Sequence, residues 1–371
     1  MMNYRLSYLQ ATHDFFSLPF KYAQLHQIVK LTSFLSGKRC QLLFSNRYGR
    51  QDLHFDRVAV ADNPQMENAI GATFQGSWSL SLPQGSHLLT SDSIEFPLTA
   101  GQPFYVEMIA KRPQSYADFV CTYATQWVNA AIARRANCRP LLSDNWHARH
   151  GWLCLDGVNV LTDAQPAYLE LTGDSLIETG MVAQELFSRL VNDYPEQVVA
   201  VNTGISGNRL LYDAPQDEPL FATYGESLLN RLQSESFHPD LRIALIGSND
   251  LLLPAYSKQA KAQNHDLGTL YQGFKKLLQM GPTLSTTIAP IRLFNDAMTP
   301  VEEEINQARI ALNRWLANSD FVVDSAPLVA NPAHNALKEE MDFGDGMHLS
   351  PRGGACVANA LWPRVQACLK N

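Results

Sequence analysis

Three short runs in the second half of the chain, 168–172 (YLELT), 198–201 (VVAV) and 241–246 (LRIALI), have the composition of strands, and they stop at Gly173, Asn202 and Gly247. The first is followed at 181–190 (MVAQELFSRL) by the apolar spacing of an amphipathic helix. Helical spacing recurs at 220–237, 267–280 and 301–317, and further β-branched runs at 285–289 and 321–324 lie between those segments. Strands alternating with helices over about 200 residues predict an α/β architecture, a doubly wound parallel five-stranded sheet covered on both faces. Open sheets of this kind gather ligands beyond the carboxyl ends of their strands. The polar segments after Gly173, Asn202 and Gly247 therefore occupy the positions where a site belongs.

The first 160 or so residues follow another rhythm. Short runs at 41–44, 54–60, 73–82, 93–98 and 104–109 are separated by Gly, Pro, Asn and Ser, the pattern of an antiparallel β-sandwich or jelly roll. A polar stretch at 162–166 (TDAQP) marks the boundary, so the chain reads as a β domain at 1–162 followed by an α/β domain at 167–371.

Four segments carry groups suited to acyl transfer: Gly173-Asp174-Ser175-Leu176, Gly204-Ile205-Ser206-Gly207-Asn208, Gly247-Ser248-Asn249-Asp250 and Asp345-Gly346-Met347-His348. That chemistry needs a nucleophile, a base, a group that orients the base and donors for the oxygen that becomes negative. Ser175 follows a strand and precedes a helix. His348 alone among ten histidines lies before a helix start with a carboxylate three residues upstream in a Gly-rich loop. Asp345 in that turn could hold Nδ1–H while Nε2 faces the serine. The Ser175 and Gly207 backbone N–H groups and the Asn249 side-chain amide are the candidate oxyanion donors, and Gly207 lets backbone approach substrate because it has no Cβ. Each segment also has a plainer reading as a turn, a cap or a strand end. Asp174 and Asp250 read as loop acceptors, and Asn208-Arg209 as an exposed turn pair in preference to substrate contacts.

Together, in this order, the four segments resemble the sequence blocks of the SGNH, or GDSL, hydrolase superfamily. The resemblance implies a Ser175–His348–Asp345 triad with an oxyanion hole from Ser175, Gly207 and Asn249. The whole chain is similar to a subgroup that carries a β domain before the catalytic one, through Phe44-Ser45-Asn46-Arg47-Tyr48-Gly49, the 151–158 lead-in and the 204–209 run (GISGNR). One departure stands out. Ile177-Glu178-Thr179 separates Leu176 from Gly180, making the turn after the serine one residue longer than in the subgroup. That length could alter entry to the site or the placement of the Ser175 amide.

The resemblance implies a serine esterase for short-chain esters, with acetylated sugars as candidate substrates. An acyltransferase would use the same residues, and a non-catalytic scaffold that binds through its β domain is the alternative that the intact residue set disfavours. A net charge of -7 and a pI near 5.8 give no support to nucleic-acid or anionic-membrane binding. Residues 1–18 hold no apolar run of signal length, and no stretch approaches the roughly 18 apolar residues of a membrane span. Six cysteines without paired spacing predict reduced thiols in a cytoplasmic protein. No cofactor is expected: His147 and His150 have ligand-like spacing but no further ligand types nearby. The sequence leaves the oligomeric state open.

Overall fold

The computed structural model describes residues 2–133, 147–234, 237–263, 266–292 and 298–370, with backbone alone at 147–149. The backbone divides into two compact units, 1–167 with 187–201 and 168–186 with 202–371.

The first unit is β-rich and antiparallel. Leu25–Thr32 pairs with Pro103–Ala110 on one side and Asn129–Ala133 on the other, and Arg57–Ala61 extends the same sheet. Cys40–Phe44, Leu155–Thr162 and Asn3–Gln10 form a second antiparallel series. Val29, Val106 and Val60 from the first series and Leu42, Val158 and Val160 from the second are almost fully buried. Burial of such side chains from two antiparallel series is the organisation of a β-sandwich. Phe34 stacks on Trp127 at 4.9 Å, and the Phe187 ring meets both edge-on at 5.3 and 5.4 Å. This aromatic cluster ties the 187–201 segment to the first unit.

Several strand boundaries differ from the sequence expectation. The 54–60 run breaks at Asp56 into Leu53–Phe55 and Arg57–Ala61. In 73–82 a turn with positive φ at Gln75 and Gly76 leaves Leu80–Leu82 as the only strand. The 93–98 run makes isolated bridges at Ile94 and Leu98 in place of a strand.

In the second unit Ala167–Gly173 pairs in parallel with Leu241–Leu245, which pairs with Thr283–Thr286, which pairs with Val322–Val323. Val198–Gly204 is the fifth strand. Its last residues lie beside the first strand, where Thr203 Oγ1 donates to Glu170 and Ile205 N–H donates to Gly173 O at 3.0 Å. Glu170 also meets Arg242 at 2.6 Å, so this buried carboxylate is paired as well as hydrogen-bonded.

Helices Leu267–Leu278 and Pro300–Leu316 supply Leu270, Phe274, Leu277, Leu312 and Leu316 to a core shared with Ala244, Ile246 and Ile288. Their starts are fixed by the Asp266 side chain on Thr269 N–H and by a Thr299–Glu302 capping box. Pro351–Leu369 closes the chain with Val357, Leu361 and Val365 buried. Residues 220–237 do not form one helix. Gly225 at φ +71° interrupts them, leaving a short turn at Phe221–Tyr224 and a helix at Leu228–Ser234. Among the described residues no helix is long and apolar enough to cross a membrane.

Candidate active site

Gly173 ends the first strand at φ +129°, and a Cβ there would lie 1.8 Å from Leu245 O. Only glycine fits so close an approach, and it lets Asp174 N–H donate to that same carbonyl at 3.0 Å. Asp174 then caps the one-turn helix Ser175–Glu178, accepting from Leu176 N–H at 3.0 Å. Thr179 closes the turn on Ser175 O through both its N–H and its hydroxyl, and Gly180 leaves it at φ +91°. The extra residue after the serine is thus absorbed as a helical turn. Ser175 is half-buried, and neither its Oγ nor its N–H makes a hydrogen bond with any described residue.

Gly207 lies in the turn after Val198–Gly204 at φ +79°, with the Tyr224 ring where a Cβ would be. Its N–H is likewise unengaged among the described residues. The preceding amide, Ser206 N–H, donates at 2.7 Å to the buried carboxylate of Glu178. Asn202 completes the connection: its Nδ2 donates to Ile177 O at 3.1 Å and its Oδ1 accepts from Gly204 N–H at 3.0 Å.

Asn208 and Arg209 are not the exposed turn pair that the sequence suggests, because both are only 1% exposed. Asn208 Nδ2 donates to Tyr224 O and Glu226 O while its Oδ1 accepts from Arg231. The Arg209 guanidinium donates to Gln263 and Asp213 O. Apart from Arg209 Nε, which is buried without a hydrogen-bond partner among the described residues, their side-chain polar atoms are engaged inside the protein, which argues against substrate contact.

Gly247 opens the third segment at φ +106° with Ile288 and Phe274 against it. Asn249, in the short helix Ser248–Leu252, donates from Nδ2 to Asn208 O at 3.1 Å. That bond aligns the amide and leaves a second N–H. Asp250 accepts from the Leu210 and Leu211 N–H groups, a loop role, as expected.

In the fourth segment His348 Nδ1 meets Asp345 Oδ2 at 2.6 Å, while Asp345 Oδ1 accepts from the backbone N–H groups of His348 and Met347. Partial burial pushes the Asp345 pKa up, but the three hydrogen bonds from His348 and Met347 outweigh it and hold the carboxyl below the ordinary value. Gly346, at φ +74°, packs against Arg292 O, and Asp342 accepts from the Gly344 and Gly346 N–H groups.

A narrow cleft brings Ser175, Asn249 and Met347 together, with Leu176, Leu252 and Ala289, Pro290 and Ile291 as further walls. Three of the four segments thus reach one cleft, and the second segment, which holds Gly207, is tied to them through Glu178 and Asn208. Ser175 and His348 are not hydrogen-bonded to each other, and His348 Nε2 has no partner among the described residues.

No cluster of three or more His, Cys, Asp or Glu suited to a metal occurs among the described residues. His150 stacks on Tyr123 at 4.6 Å, and the His147 side chain lies outside the described set.

Residues 171–355 match the family model described as "GDSL-like Lipase/Acylhydrolase family", and this part of the chain is a domain of that family. By class the chain is therefore a carboxylic-ester hydrolase. Similar solved structures include a carbohydrate acetylesterase family member from Sinorhizobium meliloti, with 18% identity over 55% of this chain and 100% of that one at a TM-score of 0.40. Another is an acetylxylan esterase, Axe2, from Geobacillus stearothermophilus, with 20% identity over 55% and 96% and a TM-score of 0.37. A third is a GDSL-like lipase from Bacteroides thetaiotaomicron, with 14% identity over 54% and 88% and a TM-score of 0.39. No curated protein matches the chain.

Proposed function

We propose that the chain is a serine esterase for short-chain carboxylic esters, with O-acetyl groups on carbohydrates as its substrate class. In this reading 1–162 is a β domain and 167–371 the catalytic domain. The observation that carries it is the Ser175 hydroxyl, without a hydrogen bond to any described residue, in one cleft with Asn249 and with Met347, the neighbour of the Asp345-held His348.

Ser175 Oγ attacks the ester carbonyl as His348 Nε2 takes its proton, and Asp345 stabilises the imidazolium through Nδ1. The tetrahedral oxyanion receives the Ser175 N–H, the Gly207 N–H and the Asn249 amide. His348 returns its proton to the leaving alcohol, freeing it as the C–O bond breaks. Water then attacks the acyl-serine, giving its proton to His348, and the released serine recovers that proton as the carboxylic acid departs.

The narrowness of the cleft and its small apolar walls, Ala289 and Pro290, favour a short acyl group. Among the described residues Cys40, Cys121, Cys154, Cys356 and Cys368 are free thiols, which supports a cytoplasmic setting, and Cys138 lies outside the described residues. A series of p-nitrophenyl esters and acetylated sugars tests the reading: kcat/KM should peak at acetyl and fall at least about tenfold by the eight-carbon acyl chain. A preference rising with chain length would overturn the short-chain assignment, and no turnover of any ester would overturn the esterase.

A further inference from the structure

The longer turn after Ser175 holds a carboxylate that the reaction itself does not use. Glu178 is 1% exposed, and its Oε2 accepts from Ser206 N–H at 2.7 Å. Ser206 immediately precedes Gly207, and the peptide plane between them carries the Gly207 N–H. Fixing Ser206 on one side therefore constrains where the next amide points. The other side is fixed by the Tyr224 ring against the Gly207 Cα. Glu178 stands in the same helical turn as Ser175, so one four-residue element positions both the nucleophile and the loop opposite it. The fit around it is close: a Cβ on Gly204 would come within 2.6 Å of Glu178 N.

We infer that Glu178 is a positioning residue for the oxyanion hole, holding the Ser206–Gly207 peptide so that the Gly207 N–H is pre-aimed at the developing negative charge. The inference rests on the esterase reading and extends it to a residue that does not touch substrate. Catalysis by such donors depends on their being oriented before charge develops. Releasing the loop should weaken transition-state binding while leaving ground-state binding almost intact.

The test compares oxo and thiono esters of the same alcohol, because a thiocarbonyl sulfur accepts hydrogen bonds less well than an oxygen. In the wild type the oxo ester should be preferred. Glu178→Ala should lower kcat on the oxo ester by about 10–100-fold with KM within about twofold, and should cut the oxo-to-thiono preference in kcat/KM by about tenfold. Glu178→Gln, which keeps an acceptor at the same reach, should restore both to within about threefold of wild type.

Should Glu178→Ala fail to fold, Glu178→Asp withdraws the carboxylate by one methylene with its charge intact and should lower the preference in the same direction. An active Glu178→Ala or Glu178→Asp enzyme with an unchanged oxo-to-thiono ratio would overturn the inference, since a merely structural role slows both esters alike. Wild-type protein inactive on all esters would instead overturn the esterase reading on which the inference rests.

Discussion

Asp174 occupies the position just before Ser175, fully inside the protein. Burial pushes its pKa up to about 7, the hydrogen bond from Leu176 N–H opposes the rise, and the charge of Asp250 adds to it. Oδ1 holds the Leu176 amide, whereas Oδ2 is buried with no hydrogen-bond partner among the described residues. The folded pKa lies above the unfolded value near 4, so the folded state keeps a proton that the unfolded chain releases. Stability from this group is complete at acid pH and is lost as pH rises from about 4 to about 7. Asp174→Asn keeps the Oδ1 acceptor and removes the titration. It should raise stability by on the order of 1–3 kcal/mol near pH 8, change it little near pH 4, and leave kcat within about threefold. Urea unfolding at the two pH values checks this. An equal effect at both would show that the carboxyl does not titrate between them.

At the scale of elements, the cleft wall is held by a helix that never enters the cleft. Thr283–Thr286 stops three residues short of the end of the 285–289 span that the sequence marks as strand, so the backbone of Ile288 and Ile291 has no ladder. Asn313 accepts from Ile288 N–H and donates to Ile288 O, and Asn306 does the same for Ile291. Arg309 adds a bond to Ile288 O, and burial lowers its pKa to about 10. These residues, spaced by three and four on Pro300–Leu316, share one face of the helix. Asn306→Leu would strand both Ile291 groups and should cost about 2–5 kcal/mol. Because Ile291 lines the cleft, KM should rise more than kcat falls. Denaturant midpoints and steady-state kinetics read the two effects, and a variant of unchanged stability would mean that water replaces the amide.

That helix also marks the limit of what its sequence reveals. Its apolar spacing is plain, but nothing local tells a solvent-facing Asn or Arg from one turned onto a neighbouring loop. Glu178 was hidden for the same reason, since it acts on the Ser206 amide, whose location depends on tertiary folding. Asp345-x-x-His348 was readable because both partners lie in one turn, and Gly173, Gly207 and Gly247 because the chain is too crowded there for a side chain.

For the molecule as a whole, alternating strands and helices made the parallel sheet legible, since a parallel pair needs a crossover and the crossover helix has its own period. The antiparallel unit was harder. Leu25–Thr32 is buried at nearly every position and shows no alternation, so the central strand of its sheet left no signature. The 187–201 segment belongs with the first unit through contacts of Phe187 with Phe34 and Trp127, which no local pattern announces.

The proposed esterase mechanism requires that the hydroxyl of Ser175 be the nucleophile. A fluorophosphonate should inactivate the protein with one-to-one stoichiometry, and peptide mass mapping should place the adduct on Ser175. The Ser175→Ala variant, folded as judged by its unfolding midpoint, should take up no label and lose about 10⁴–10⁶ in kcat. Labelling at another serine, or a Ser175→Ala protein that keeps more than about a tenth of the activity, would contradict it.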